Sequence, residues 1–176
     1  MISCRMVAVM VAFLIATGPA RADQLPRSIA GTARVIDGDT ISIRKQRVRI
    51  AAIDACEKDQ TGVLNGKKWA CGLVARSYLR KMIDGKHVIC RIVDMDRYKR
   101  LVGQCFIESQ DIGLVMVRAG QAEAMLRYLP RNHGIDTTEY GYAENQAREK
   151  MRGIWAADIE SPHIYRRARP YPYPYP

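Results

Sequence analysis

Glycine (13 residues) and proline (8) are too few among 176 residues for a collagen-like or generally low-complexity chain. Aromatic side chains make up only 7%, and the three histidines are scattered. No two cysteines form a C-x-x-C pair, which together with those histidines argues against a zinc site. No internal repeat is visible. Acid is also short, with 18 Asp plus Glu against 28 Lys plus Arg and a formal charge of +10. Such a balance favours an anionic partner: nucleic acid, an acidic membrane surface or polyphosphate. The apolar fraction of 48% excludes wholesale disorder. The length suits one domain, with or without tails.

Two familiar loops are missing as well. Gly62 and Gly66 are separated by three residues where a phosphate-binding loop needs four, and Lys68 stands where Ser or Thr would meet magnesium. Asp37-Gly38-Asp39 and Asp94-Met95-Asp96 open like calcium loops and do not continue as such. Val48 falls at the twelfth position of the first, and Lys99 replaces the required glycine of the second.

The N-terminus reads as a targeting segment. Arg5 is a basic start, Met6 to Gly18 is apolar apart from Thr17, and Ala20-Arg21-Ala22 is a small-x-small cleavage site. The apolar run is short for a membrane span. We expect a signal peptide over 1–22, an uncleaved anchor being the alternative. The mature chain is then exported, periplasmic or secreted, with no membrane attachment. Cleavage removes Cys4 and leaves Cys56, Cys71, Cys90 and Cys105. An even count in an exported chain favours two disulfides over four free thiols. Of three possible pairings, Cys90–Cys105 is favoured, because the two flank a hairpin-like turn near Arg97–Tyr98. Cys56–Cys71 follows by elimination.

Alternating residues predict strands over 33–36, 39–44 and 47–53, with a tight turn at Asp37-Gly38. A helix is predicted over 67–83, with Leu73, Tyr78, Leu79, Met82 and Ile83 on one stripe and Gly85 as its stop. Strands over 87–93 and 101–107 follow. A short helix capped by Asp111 runs to Ala119, and a longer one spans 136–152. Five strands interrupted by one helix suggest an α+β domain over 23–160, a five-stranded Greek-key barrel of the OB type with three helices. Residues 161–176 are rich in Arg, Tyr and Pro and end in Tyr-Pro-Tyr-Pro-Tyr-Pro, which reads as an extended, disordered tail.

One group of residues carries chemistry. Asp39 begins the second strand, and Asp54 and Glu57 follow the third. Two converging aspartates bind a hard cation through oxygen. Arginine forks suit phosphate oxygens, and a remaining carboxylate can position or deprotonate water. This set matches the needs of phosphodiester hydrolysis. Arg49 lies five residues before Asp54, so on an ideal strand the two face opposite sides. A bulge or barrel bend is required to bring them together.

Ile36-Asp37-Gly38-Asp39-Thr40, then Arg49-Ile50-Ala51-Ala52-Ile53-Asp54-Ala55-Cys56-Glu57, then Asp96-Arg97-Tyr98-Lys99-Arg100 resemble the signature segments of the staphylococcal nuclease family. The resemblance extends over roughly residues 30–157, to Gly153-Ile154-Trp155. It implies an OB barrel with three helices and calcium-dependent cleavage of DNA and RNA, single-stranded or locally opened, by a monomer that leaves 3′-phosphates. It further implies Asp39, Asp54 and the backbone carbonyl of Ala55 as calcium ligands and Glu57 as general base. Arg49 and Arg100 correspond to the phosphate-binding arginines, and Arg97, Tyr98 and Tyr128 to nucleotide contacts. Three positions depart from the pattern: Cys56 replaces the usual proline, Lys99 the usual glycine, and Leu126 a common tyrosine. The rival readings are a catalytically silent nucleic-acid-binding OB module and a basic protein that binds cell-envelope polyanions.

Overall fold

The computed structural model describes residues 25–169. The expected signal peptide (1–22) and the Tyr-Pro repeat lie outside them. Strands β1 (Ser28–Val35), β2 (Thr40–Ile43) and β3 (Gln46–Ile50) form an antiparallel meander. Period-two burial explains β1: Ala33 and Val35 point inward, while Thr32 and Arg34 face solvent. Short strands β4 (Ile53–Ala55), β5 (Gly62–Leu64) and β6 (Lys67–Trp69) precede helix α1 (Cys71–Ile83). Then come β7 (His87–Met95), β8 (Leu101–Ile107), β9 (Gln110–Asp111), α2 (Ile112–Arg118) and β10 (Ala122–Ala124). Helix α3 (Thr137–Glu149), a 3-10 turn (Gly153–Ala156) and helix α4 (Pro162–Ala168) complete the described chain.

The main sheet runs β3-β2-β1-β7-β8, and β3 pairs in parallel with β8 to close it. This is a five-stranded OB-type barrel. Ile41, Ile43, Val48, Ile50 and Val88 fill its interior, and α1, α2 and α3 add Leu79, Met116 and Tyr140 to the same core. Asp111 and Asp136 cap α2 and α3 by accepting backbone N–H bonds from Leu114 and Thr138. Cys90 sits opposite Cys105 across β7–β8 and is bonded to it. Cys56 is bonded to Cys71 at the start of α1. Among the described residues, no helix is long and apolar enough to cross a membrane.

The structure corrects the expected elements in four places. The third strand does not run through residue 53: it ends at Ile50, and Ala52 takes a left-handed φ of +66°. Helix α1 begins at Cys71, because Lys67–Trp69 pairs with Gly62–Leu64 around Asn65-Gly66. Leu73 and Tyr78 are exposed, and α1 buries Ala75, Leu79 and Ile83 instead. Residues 162–168 are not an extended tail but a fourth helix, with Pro162 in its first turn, where proline's missing N–H costs nothing.

Candidate active site

The break at Ala51–Ala52 builds the site. The Ala51 N–H donates to the Gly103 carbonyl at 2.8 Å, and the Ala52 carbonyl accepts from the Met125 N–H at 2.7 Å. The chain thus turns between β8 and β10 and re-enters as β4, so strand alternation restarts. Arg49 and Asp54 therefore meet, with Arg49 Nη2 2.7 Å from Asp54 Oδ1. The other Arg49 nitrogen, Nη1, contacts Asp39 Oδ2. One guanidinium fork thereby joins the two aspartates, which lie 15 residues apart in sequence.

Asp39 is fixed from both sides. Its carbonyl accepts from Ile50 N–H at 2.8 Å, and its Oδ1 accepts from the Thr40 hydroxyl at 2.7 Å. Gly38 lets this turn approach β4 and α1: a Cβ there would lie 2.8 Å from that of Ala55. Asp54 is wholly buried, held opposite Glu123 in the β4–β10 ladder. Ala55, the next residue, is buried too.

Glu57 follows on a loop pinned at both ends. Its N–H donates to Gln60 Oε1 at 3.0 Å, and its carbonyl accepts from Gln60 N–H at 2.8 Å. Gln60 is fully buried, and its Nε2 donates to the Glu160 carbonyl at 2.7 Å. The adjacent Cys56–Cys71 bond ties the same loop to α1, where a proline would have stiffened it. Burial raises the pKa of the Glu57 carboxyl, and the Asp39 charge adds to this, against the opposing effect of Arg166. Burial, then the Asp39 charge, push Asp37 up to about 6.

Asp96 shapes the β7–β8 turn. It accepts backbone N–H bonds from Tyr98 (2.9 Å) and Arg100 (3.0 Å), and its Oδ2 accepts from Arg100 Nε at 2.7 Å. Lys99 adopts a φ of +59°, where glycine would be unstrained. Arg100 nevertheless reaches the site, with Nη1 3.4 Å from Thr40 Oγ1. Arg97 donates to the Tyr98 hydroxyl at 2.8 Å. Tyr98 (45% exposed) and Tyr128 (70% exposed) stand at the rim of a cleft of about 740 Å³, with Arg97 and Arg100 over the Tyr98 ring and Arg127 over that of Tyr128. That cleft collects Asp39, Arg49, Glu57 and Arg100 with both tyrosines.

Sequence reasoning missed two members. One is Gln60, whose role needs the fold to be seen. The other is Arg166 on α4, whose Nη2 lies 2.7 and 2.8 Å from the two Asp54 oxygens, while Nη1 contacts Glu57 Oε1. Burial opposes the charge on Arg166, but the Asp54 charge and the bonds to both acids outweigh it and hold its pKa above the usual guanidinium value. Proline in the first turn of α4 and its basic last turn were the available signals.

The donor set suits a hard cation. Asp39 and Asp54 present carboxylate oxygens to the two nitrogens of one Arg49 guanidinium, and Arg166 places a second positive fork across Asp54. Among the described residues no three His, Cys, Asp or Glu side chains form a metal-binding group. A hard cation here would draw on the two aspartates together with backbone oxygen and water.

Residues 47–157 match the family model for staphylococcal nuclease homologues. The chain is 32% identical over 161 residues to the succinoglycan biosynthesis protein ExoI of Rhizobium meliloti, covering 90% of this chain and 79% of that protein. It is 31% identical over 139 residues to an uncharacterized endonuclease of Escherichia coli O157:H7, covering 76% of this chain and 81% of the relative. An uncharacterized endonuclease of Haemophilus influenzae is 33% identical over 133 residues, covering 71% and 66%.

Proposed function

The chain belongs to the staphylococcal nuclease homologues, and we propose that it is an exported, calcium-dependent nuclease that hydrolyses phosphodiester bonds of DNA and RNA and leaves 3′-phosphates. The observation that carries the reading is the Arg49 fork joining Asp39 to Asp54, with Glu57 at the same cleft. Asp39, Asp54 and the Ala55 carbonyl would hold the calcium, which when bound supplies positive charge against the phosphate oxygens. Glu57 orients the attacking water and takes its proton. Arg49 and Arg100 keep guanidinium N–H groups at the cleft to stabilise charge on the five-coordinate phosphorus. Tyr98 and Tyr128 offer rings for stacking unpaired bases, which favours single-stranded or locally opened substrate. We read the enzyme as a monomer. Two disulfides support an oxidising compartment and hence export to the periplasm or beyond.

The test is incubation of mature protein (23–176) with single-stranded DNA, with and without calcium, followed by end-group analysis. Cleavage should require calcium, and Glu57→Gln should lower turnover by about 10²–10⁴. Binding without cleavage under every divalent ion would establish the silent OB module instead. Glu57→Gln turning over at the wild-type rate would remove Glu57 from the chemistry.

A further inference from the structure

We propose that α4 is an internal competitor for the active site: Arg166 stands on the carboxylates that a cation and a water would use, and the enzyme rests capped until calcium displaces the helix. The proposal rests on the nuclease reading above. Arg166 covers both oxygens of Asp54 and one of Glu57. Because Asp54 has no exposed surface, a cation reaching it must take the place of the guanidinium. With Arg166 in place, Glu57 Oε1 is also engaged by a guanidinium where a water would otherwise bind.

The mounting of α4 suits release. The chain just before it is fixed: Val63 and Asp158 exchange backbone bonds at 2.9 and 2.8 Å, and Gln60 holds the Glu160 carbonyl. Ser161 donates to Glu123 Oε2 at 2.7 Å. Beyond that anchor, Pro162 is the only buried residue of α4. The helix docks chiefly through charge, with His163, Arg166 and Arg167, one helical face, lining the cleft. A segment held by few apolar contacts opens at low free energy.

Calcium binding to the mature full-length chain, measured by calorimetry without nucleic acid, tests this. Arg166→Gln should bind calcium about tenfold or more tightly than wild type, and Arg166→Lys, which keeps the charge but loses the fork, should fall between them. In the wild type, calcium should speed tryptic cleavage after Arg166 and Arg167, a measurement that needs no variant to fold. Unchanged calcium affinity in Arg166→Gln, or α4 cleavage indifferent to calcium, overturns the competitor while leaving a calcium-dependent nuclease intact. Loss of cleavage in Arg166→Gln at unchanged calcium affinity makes Arg166 a catalytic arginine and also overturns it. If the wild type neither binds calcium nor cleaves, competitor and nuclease fall together.

Discussion

Gly72→Ala sets helix propensity against close packing. Alanine is the better helix former, and in open space the exchange stabilises by about 0.5–1 kcal/mol. Gly72, the second residue of α1, does not stand in open space. A Cβ there would lie 1.8 Å from the Glu57 carbonyl oxygen and 2.6 Å from its carbon, both backbone atoms. Contacts under 3.0 Å essentially never occur, so helix and loop must part by about 1.2 Å. Neither side yields easily. Gln60 grips the Glu57 backbone, and the Cys56–Cys71 bond staples the two segments one residue away. Overpacking of this kind costs about 1–3 kcal/mol, more than the helix gains. The displacement falls on Glu57 itself, and a misplacement of about 1 Å can lower turnover by about 10²-fold. Gly141→Ala in α3 is the control, since nothing lies within 4 Å of its Cβ. Thermal unfolding should show Gly141→Ala rising and Gly72→Ala falling by a few degrees, at about 2–4 °C per kcal/mol. Cleavage of single-stranded DNA in saturating calcium should fall only for Gly72→Ala. A Gly72→Ala protein that melts higher and cleaves at the wild-type rate would refute the close approach and its role in holding Glu57.

Gln60→Leu removes a buried amide that serves Glu57 and Glu160 together. Urea unfolding should show a loss of about 1–3 kcal/mol from the groups left unpaired, and an unaltered midpoint would discount the bridge. Arg49→Lys keeps the charge but cannot fork between Asp39 and Asp54, so turnover should fall by about 10²–10³; steady-state kinetics at wild-type levels would rule the fork out. Tyr140 donates from its hydroxyl to Asp111 at 2.8 Å, and burial, then the Asp111 charge, raise its pKa. The folded state therefore holds that proton more tightly than the unfolded, so the contribution is whole below about pH 10 and is lost as pH rises beyond it. Denaturation across pH 8–11 should show Tyr140→Phe less stable by about 1–2 kcal/mol at the lower end, with a flatter alkaline decline; parallel curves would contradict this.

Much of the barrel was legible because its signals are local. Ala33, Val35, Ile41, Ile43, Val48 and Ile50 alternate with polar neighbours, and Asp37-Gly38 and Asn65-Gly66 mark turns. The α1 boundary was misread because Lys67-Lys68-Trp69-Ala70 suits a helix as well as a strand, and only pairing with Gly62–Leu64 decides. The meeting of Arg49 and Asp54 was illegible for a sharper reason. Strand alternation places them on opposite faces, and the break that reverses this falls on Ala52, with no glycine to announce a positive φ. What holds Ala52 there is a pair of backbone bonds to Gly103 and Met125, and these exist only once the barrel has closed.

Arg166 shows where local reading stops. It lies 112 residues from Asp54, in a stretch whose tyrosine–proline ending suggested extended chain throughout. The sequence nonetheless held a constraint that pointed beyond the first arginine. Asp54 is an acid in an apolar run that the fold buries completely, with Asp39 and Glu57 close by. A carboxylate with no exposed surface needs partners on both oxygens, and Arg49 meets only one of Asp54's two. A second positive group at the other oxygen answers that need. The structure meets that need with α4, and the same reasoning makes the group exchangeable: a divalent ion that takes the Asp54 oxygens removes the reason for Arg166 to stay.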